Sequence, residues 1–386
     1  MFYLVGIVIT YFLAFILLTK GKKTKSDKVL FLWLLFIGFH LFLYYLFIDN
    51  QYYRFPYLLG FHIPLPLIHG PFLYFYTATI TNQKINWKFS FLHFIPFIVS
   101  FISITDFLLL TFEEKTLIYN NRGKGYEMFL LFNSISVIVS VITYVILSLS
   151  LLNKHKKNIL NEFSSTERIS LSWLRTLIYG VGTVWIFIIY GNNELLYAVV
   201  VLFVILIGYF AINQVNVFPK DKPFTSNNAT NVLNQTKYSL KITEPQASNL
   251  IEISQNKTAK KYLKSGLNAD TAQKIHSLLK FKMEKEEWFT NPNITLAELA
   301  AYLEIHPNSL SQVINSFENK NFYDYINSLR IKKFLAMVEL QENQKFTLLA
   351  LAFDCGFNSK SSFNKYFRKT MSQTPTDYLS KLNNPV

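Results

Sequence analysis

The chain has 386 residues and a formal net charge of +14, although only 16% of its residues are charged. Soluble domains carry roughly 25% charged residues. With 51% hydrophobic residues, few charged residues and a basic net charge, the composition indicates a lipid-buried part joined to a basic, polar part. The single cysteine, Cys355, excludes an intrachain disulfide framework and is compatible with a reducing compartment.

Seven hydrophobic segments before position 213 meet or approach the length of a membrane-spanning helix. Such a helix needs about 20 mostly apolar residues, because lipid cannot satisfy free backbone groups. The segments are 2–19, 29–48, 57–80, 89–110, 126–152, 171–190 and 195–212. We therefore predict an all-α fold whose first part, 1–212, is a seven-helix transmembrane bundle. Three prolines interrupt 57–80, so this segment is either a kinked span or a re-entrant one.

The basic residues of the loops predict the orientation of this bundle. With the N-terminus outside, the inner loops 20–28, 81–88 and 153–170 carry eleven Lys and Arg, against four in the outer loops. The positive-inside rule then places the C-terminus in the cytoplasm. No basic residue precedes the first segment and five lysines follow it, so we read an uncleaved anchor rather than a secretory signal. We expect a multi-pass protein of the bacterial cytoplasmic membrane.

A few polar side chains fall inside the hydrophobic segments. His62 and His69 lie seven positions apart, about two helical turns, and could share a helix face. No carboxylate or cysteine accompanies them, so we expect them to bind backbone carbonyls freed by the prolines rather than a metal or haem. The sequence has no HExxH, Gly-x-Ser-x-Gly or Walker-type motif, and we predict no enzymatic role, no cofactor and no metal. A small ligand of the membrane half, with the outer loop 111–125 as one contact, stays open.

The composition changes abruptly after position 212. Residues 213–249 are rich in Asn, Thr, Ser, Lys and Gln and show no sustained periodicity, and we predict a flexible cytoplasmic linker over 213–268. From 269 to 288, apolar residues recur at helical spacing, which predicts an amphipathic helix that opens a third region, 269–386.

Two helix-turn-helix units follow in this third region. Thr295 and Glu298 form the pattern of a capping box at the start of a short helix, and Pro307 suits the first position of the next one. In that second helix, apolar residues at 310, 313, 314 and 317 form an inward stripe. Its outward face carries short polar and amide side chains, which can hydrogen-bond base edges in the major groove. These are Asn308, Ser311, Gln312 and Asn315.

The second unit has the same organisation. Residues 348–354 read as the supporting helix, and Gly356 can take the left-handed conformation of a sharp turn. In the helix 359–369, Phe363 and Phe367 point inward, whereas the other face is polar and basic, which suits a helix between phosphate rows. That outer face carries Lys360, Ser361, Asn364, Lys365 and Arg368, and Lys369 follows it.

Together these motifs resemble the AraC/XylS family of transcription regulators. The resemblance is carried by Leu348-x-x-Leu-Ala-x-x-x-Gly356-Phe-x-Ser-x-Ser-x-Phe363-x-x-x-Phe-Arg-Lys369 and by Thr374-Pro-x-x-Tyr378. Upstream, Leu310-Ser-Gln-x-Ile-Asn315 and Asn321-Phe-x-x-Tyr-Ile-Asn-x-x-Arg330 are also similar. The resemblance covers about 270–383. Two positions depart from the pattern, Ser372 for a turn glycine and Phe334 for an alanine.

The resemblance implies a seven-helix domain whose two units sit on one rigid helix and enter successive major grooves of double-stranded DNA, roughly 34 Å apart. Carried over by position, the base readers are Asn308, Ser311 and Gln312 in the first unit. In the second unit they are Lys360, Ser361, Asn364 and Lys365. Arg368 and Lys369 would instead hold phosphates.

Our hypothesis from the sequence is a one-component, sequence-specific DNA-binding transcription regulator, anchored in the bilayer, that couples a membrane or extracellular signal to gene expression. Two alternatives stay open. The membrane half could be a transporter or enzyme fused to a regulatory DNA-binding domain, or a tether only, with a cytoplasmic inducer. Homodimerisation also stays open.

Overall fold

The computed structural model describes residues 2–48, 51–167, 169–190, 193–212 and 267–383, and over these residues the chain is all-helical. This confirms the all-α prediction. Most of the predicted linker, 213–266, lies outside the described residues. The chain divides into two compact units, the first being Met1–Lys157 with Ser170–Val215 and the second Asn158–Ile169 with Asn216–Val386. The short segment 158–169 therefore packs with the C-terminal residues, although it precedes the last two hydrophobic helices in the chain.

Nine α-helices lie in the described residues before position 213, and they belong to the first unit except for residues 158–162, which belong to the second. They are α1 (Phe2–Thr19), α2 (Lys25–Ile48), α3 (Pro66–Ile80), α4 (Ile95–Ser103), α5 (Thr105–Leu108), α6 (Phe112–Asn120), α7 (Glu127–Glu162), α8 (Ser172–Tyr190) and α9 (Asn193–Ile212). Five of these (α1, α2, α7, α8 and α9) cover the first, second, fifth, sixth and seventh hydrophobic segments. Helix α6 lies in the predicted outer loop, where Thr111 and Glu114 form a capping box.

The third and fourth hydrophobic segments are not continuous helices. An interruption of 57–80 was expected from its prolines, whereas the division of 89–110 corrects the expectation of a continuous span there. In 57–80, a short 3-10 helix (Pro56–Leu58) and turns lead to α3, with Pro66 in its first turn. Helix α3 has 15 residues, about 22 Å at 1.5 Å per residue, which is shorter than the roughly 30 Å hydrocarbon core. Segment 89–110 is divided among a 3-10 helix (Trp87–Phe94), α4 and α5.

Two helices of the described residues are long and apolar enough to cross a membrane, α2 and α7. Shorter apolar helices occur at Leu4–Thr19, Trp87–Ser103 and Leu195–Phe210.

The second unit has seven α-helices within residues 267–383, the number that the resemblance implies. They are α10 (Ala269–Glu286), α11 (Leu296–Tyr302), α12 (Pro307–Phe317), α13 (Phe322–Val338), α14 (Leu348–Asp354), α15 (Lys360–Met371) and α16 (Pro375–Asn383). They surround two hydrophobic cores. The first lies among α10, α11, α12 and the start of α13, and the second among the end of α13, α14 and α15. Helix α13 contributes to both cores and connects them.

Candidate nucleic-acid interface

The first helix-turn-helix unit consists of α11 and α12, and local sequence sets its boundaries. The Thr295 hydroxyl accepts from the Glu298 amide and the Glu298 carboxylate accepts from the Thr295 amide, so the predicted capping box is present. Pro307 begins α12, as predicted, and the His306 ring caps it by accepting from the Asn308 amide at 3.2 Å. Leu310, Val313 and Ile314 are fully buried. The predicted fourth member of the stripe, Phe317, is 38% exposed and stacks on His276.

The four predicted side chains of α12 differ in how they are presented. Asn308 is exposed, while Ser311, Gln312 and Asn315 are half-buried. The Asn315 amide donates to the Ser311 carbonyl at 2.7 Å, so part of its capacity is used within the helix. The Gln312 amide nitrogen is buried and has no partner among the described residues. Only Asn308 is therefore fully available to a base edge in this conformation.

The second helix-turn-helix unit consists of α14 and α15, joined by a tight turn. Gly356 has φ +98°, as the sequence predicts for a left-handed turn. A Cβ on Gly356 would lie 2.6 Å from the Thr290 carbonyl oxygen, so this turn packs directly against the backbone before α11. The Ser359 hydroxyl caps α15 by accepting from the Ser362 amide. Phe363 and Phe367 are buried, as predicted.

Most of the predicted side chains of α15 face solvent. Asn364 is half-buried, and the others are exposed: Lys360, Ser361, Lys365, Arg368 and Lys369. Lys369 forms an ion pair within the protein, because its Nζ lies 2.6 Å from the Asp324 Oδ1 on α13. The Tyr366 hydroxyl donates to the Asp324 carbonyl at 2.8 Å, and burial raises the pKa of Tyr366. Lys369 therefore helps to anchor α15 on α13, which was not expected from the sequence.

The two departures from the family pattern are accommodated. Ser372 ends α15 with φ +57°, so a serine takes the left-handed conformation in which the family has glycine. Phe334 is 1% exposed and packs between Phe363 and Phe367, with ring centroids 4.7 and 5.8 Å away. The larger side chain thus fills the second core, since the aromatic rings of α15 surround it.

A buried arginine joins the two helix-turn-helix units. Arg330 on α13 is 1% exposed, and its Nε donates to the Phe289 carbonyl at 2.7 Å while its Nη2 donates to the Asn291 carbonyl at 2.8 Å. Its guanidinium also lies 5.8 Å from the Phe357 ring in the turn of the second unit. Burial lowers the pKa of Arg330 to about 10, so it stays charged at neutral pH. This charge holds the 289–291 turn, which precedes the first helix-turn-helix unit, against the turn of the second.

The segment 163–165 lies over the same joint, and we call it the strap. Ser164 is 2% exposed, and its backbone amide donates to the Ile294 carbonyl at 3.3 Å. Its carbonyl accepts from the Asn327 amide group at 3.0 Å, and its hydroxyl accepts from Arg330 Nη2 at 3.3 Å.

The strap contacts both helix-turn-helix units. Ser165 accepts a hydrogen bond of 2.8 Å from Asn358, in the turn before α15. Phe163 forms an isolated antiparallel bridge with Thr295, the N-cap of α11. The strap therefore belongs to the DNA-binding unit as a structural element.

Sequence reasoning missed the roles of Arg330, Asn327 and the strap. Arg330 stood in the quoted motif without a role. Asn327 and Arg330 fall at buried positions of α13 beside Ile326 and Ile331, which is a detectable signal, because a polar side chain at an inward position needs a partner. Nothing in the sequence identifies Ser164 as that partner.

Comparison with known proteins identifies this domain. Residues 299–381 match a family model described as a helix-turn-helix domain, which is of the AraC type. The C-terminal domain is therefore an AraC-like helix-turn-helix domain of the kind that binds double-stranded DNA in transcription regulation. No curated protein matches the chain, and no solved structure does.

Proposed function

We propose that the chain is a membrane-anchored, sequence-specific transcription regulator that couples a signal in or across the membrane to DNA binding. The observation that carries the proposal is the strap, which follows directly on the apolar helix α7 and is bound into the joint between the two DNA-reading units.

Base reading is proposed for side chains that the recognition helices present to solvent. In the first unit this is Asn308, with Ser311, Gln312 and Asn315 able to contribute after side-chain rearrangement. In the second unit Lys360, Ser361, Asn364 and Lys365 read bases and Arg368 holds a phosphate. Lys369 has its charge compensated by Asp324, so we assign it a positioning role.

The surface of α7 supports the membrane anchor. Soluble proteins rarely expose continuous apolar surface of this extent. Large apolar side chains that are about half exposed or more follow one another along the helix: Leu131, Phe132, Ile135, Val139, Ile142 and Ile146. A lipid environment explains this band. We propose that the N-terminus lies outside the cytoplasmic membrane of a bacterium, with the strap and the DNA-binding domain in the cytoplasm.

Coupling follows from the position of the strap. The strap, 163–165, is the first part of the connection between α7 and α8. A signal that shifts α7 against α8 therefore pulls the strap out of its contacts. The strap contributes to holding the two reading units at a fixed spacing, because it bonds to Ile294 of the first and Asn358 of the second. Its release loosens that spacing and lowers affinity for an operator with two half-sites.

DNA reading is tested with the full-length protein in lipid nanodiscs, selected against random-sequence duplexes at several salt concentrations. We expect a two-half-site motif. Lys365→Ala should weaken binding to it by about five- to hundredfold, as loss of one good base contact does. The matched control is Lys381→Ala, on α16 and bonded to Gln373, which should leave binding unchanged. Weak, non-selective binding by a folded protein would overturn the proposal.

Coupling is tested with Ser164→Ala and Asn358→Ala, which remove strap contacts without touching a recognition helix. We expect Ser164→Ala to lower affinity for a two-half-site duplex by about tenfold, since a hydrogen bond to a charged group contributes roughly 1.5–3 kcal/mol. Asn358→Ala should lower it by about fivefold, since a bond between neutral groups contributes about 1 kcal/mol, and neither variant should change single half-site affinity. Ser380→Ala is the control, because Ser380 bonds only within its own helix. Equal affinities in all variants would show that the strap does not couple the units.

Membrane topology is tested by cysteine labelling in a Cys355→Ser background. A membrane-impermeant maleimide should label Lys124→Cys in intact cells and Lys156→Cys only after lysis. The reverse pattern would invert the proposed orientation.

A further inference from the structure

The compact unit formed by the hydrophobic helices, Met1–Lys157 with Ser170–Val215, contains a cavity of about 360 Å³. It is lined by α2, α3, α8, α9 and the turn before α3. Pockets that bind small molecules typically measure about 300–1,000 Å³. Its walls are mainly aliphatic and aromatic, and none of the described residues that line it is Asp, Glu, Lys or Arg. A charged molecule would find no countercharge there, so the cavity favours a neutral one.

Three histidines interrupt the apolar lining, His40, His62 and His69, and two of them are connected in a chain that begins at Trp33. The Trp33 Nε1 lies 3.3 Å from His69 Nδ1, and His69 Nε2 lies 3.0 Å from His40 Nδ1. Sequence reasoning expected His69 to bind a freed backbone carbonyl. That expectation is wrong for His69, since both of its ring nitrogens have side-chain partners.

The chain of hydrogen bonds fixes the tautomers. An indole N–H can only donate, so His69 Nδ1 accepts and a neutral His69 carries its proton on Nε2. That proton is donated to His40 Nδ1, which leaves the proton of a neutral His40 on Nε2. No described residue accepts from His40 Nε2. The chain therefore ends in a donor that has no protein acceptor, on a side chain that lines the cavity.

We propose that this cavity binds a small, neutral, mostly apolar molecule that carries one strong hydrogen-bond acceptor, such as a ketone or ester carbonyl, and that His40 Nε2 donates to this acceptor. An unpaired donor beside apolar surface is costly, and a carbonyl there removes the cost. Binding itself is independent of the proposed function. That the ligand is the signal for DNA binding rests on the function proposed above.

A metal ion does not explain the same residues. The nitrogens that join His40 and His69 already bond to each other, so their lone pairs do not converge on a common point. Within the described residues, no group of three or more His, Cys, Asp or Glu side chains is placed to hold a metal ion.

The test uses benzophenone, a neutral diaryl ketone that inserts into nearby C–H bonds under ultraviolet light, with the full-length protein in lipid nanodiscs. Mass spectrometry should locate saturable labelling on peptides that contain His40 and His69. Cyclododecanone should compete about five- to tenfold better than cyclododecane, its hydrocarbon analogue, because one net hydrogen bond contributes about 1 kcal/mol. Labelling confined to non-saturable, lipid-facing sites would overturn the proposal, as would equal competition by the hydrocarbon.

Variants separate His40 from the general environment. His40→Phe keeps an aromatic ring but removes the donor, and should weaken the saturable component about tenfold. The matched control is His93→Phe, in the same unit but outside the cavity, where His93 bonds to Tyr144. Stoichiometric zinc that His40→Phe removes would replace the carbonyl ligand with a metal. If His40→Phe does not fold, the competition in the wild-type protein still decides.

Operator binding of the same nanodiscs, with and without cyclododecanone, distinguishes the two proposals. Saturable labelling with unchanged DNA affinity would leave the binding site standing and refute its role as sensor. Selective DNA binding without saturable labelling would leave the regulator standing and refute the cavity ligand.

Discussion

Replacing Arg330 with methionine is the sharpest test of how the DNA-binding unit is held together. Methionine fills a similar volume but donates no hydrogen bond, so the carbonyls of Phe289 and Asn291 lose their partner. Bonds to a charged donor contribute roughly 1.5–3 kcal/mol each, and such contributions are not additive. Part of the loss is offset, because burial already disfavours the charged guanidinium, as the lowered pKa of Arg330 indicates. We expect the unit to lose about 3 kcal/mol.

The sole thiol of the chain measures this loss within the full-length protein. Cys355 is fully buried, with its Sγ 3.6 Å from the Met337 Sδ, so a thiol reagent reaches it only when this part of the unit opens. When opening is a rapid pre-equilibrium, each 1.4 kcal/mol accelerates labelling tenfold. Arg330→Met should therefore accelerate labelling of Cys355 about a hundredfold.

Lys332→Met is the matched control, because Lys332 is two positions away on the same helix and is exposed. It should change the labelling rate by less than about threefold. A wild-type rate for Arg330→Met would refute the role of Arg330 in joining the units. Equal acceleration by both variants would instead assign the effect to helix α13 as a whole.

Three further predictions concern the same unit. Gly356→Ala should destabilise it by at least about 1–2 kcal/mol, seen as faster labelling of Cys355. The reason is that the backbone at 356 has a left-handed φ, and the new Cβ would meet the Thr290 carbonyl oxygen. An unchanged labelling rate would contradict this geometry. Lys369→Ala should leave the salt dependence of DNA binding unchanged, since Lys369 pairs with Asp324, whereas a slope reduced by about 0.9 would show that it neutralises a phosphate. Burial raises the pKa of the Cys355 thiol to about 12 from an ordinary 9, so the stabilising contribution of the protonated thiol is present below pH 9 and is lost between pH 9 and 12. The melting temperature of the wild type should therefore fall more over that range than the melting temperature of Cys355→Ala. Equal falls of the two melting temperatures would contradict this prediction.

The sequence predicted best what depends on neighbouring residues. The capping box at Thr295 and Glu298, the start of α12 at Pro307 and the extent of α14 all agree with the prediction, because each depends on contacts within one or two helical turns. Hydropathy located five helices of the first unit for the same reason. The break inside 57–80 agrees with the prolines noted there. The division of 89–110 was not predicted, since an average of apolar character does not register where turns break the helix.

The roles of side chains that act over long distances in the chain were not predictable. Arg330 and Ser164 are 166 positions apart, and periodicity on α13 indicates only that Arg330 points inward. The same applies to Lys369, whose place in the polar stripe of α15 suggests a phosphate contact until Asp324 is found beside it. Gln312 likewise lies at a position where the sequence predicts a base-reading side chain, but its amide nitrogen is buried in this conformation.

The energetics of the strap suit a switch better than a permanent brace. If 163–165 is withdrawn, Arg330 keeps its two shortest bonds, to the Phe289 and Asn291 carbonyls, and the cores of both units stay intact. What is lost are the bonds of the strap: Arg330 to the Ser164 hydroxyl, Asn327 to the Ser164 carbonyl, the Ser164 amide to Ile294, and Asn358 to Ser165. At about 0.5–1.5 kcal/mol for an ordinary bond, such losses total a few kcal/mol, which is of the order of a coupling free energy between two sites. A signal of that size can therefore change the spacing of the two reading units without unfolding either of them.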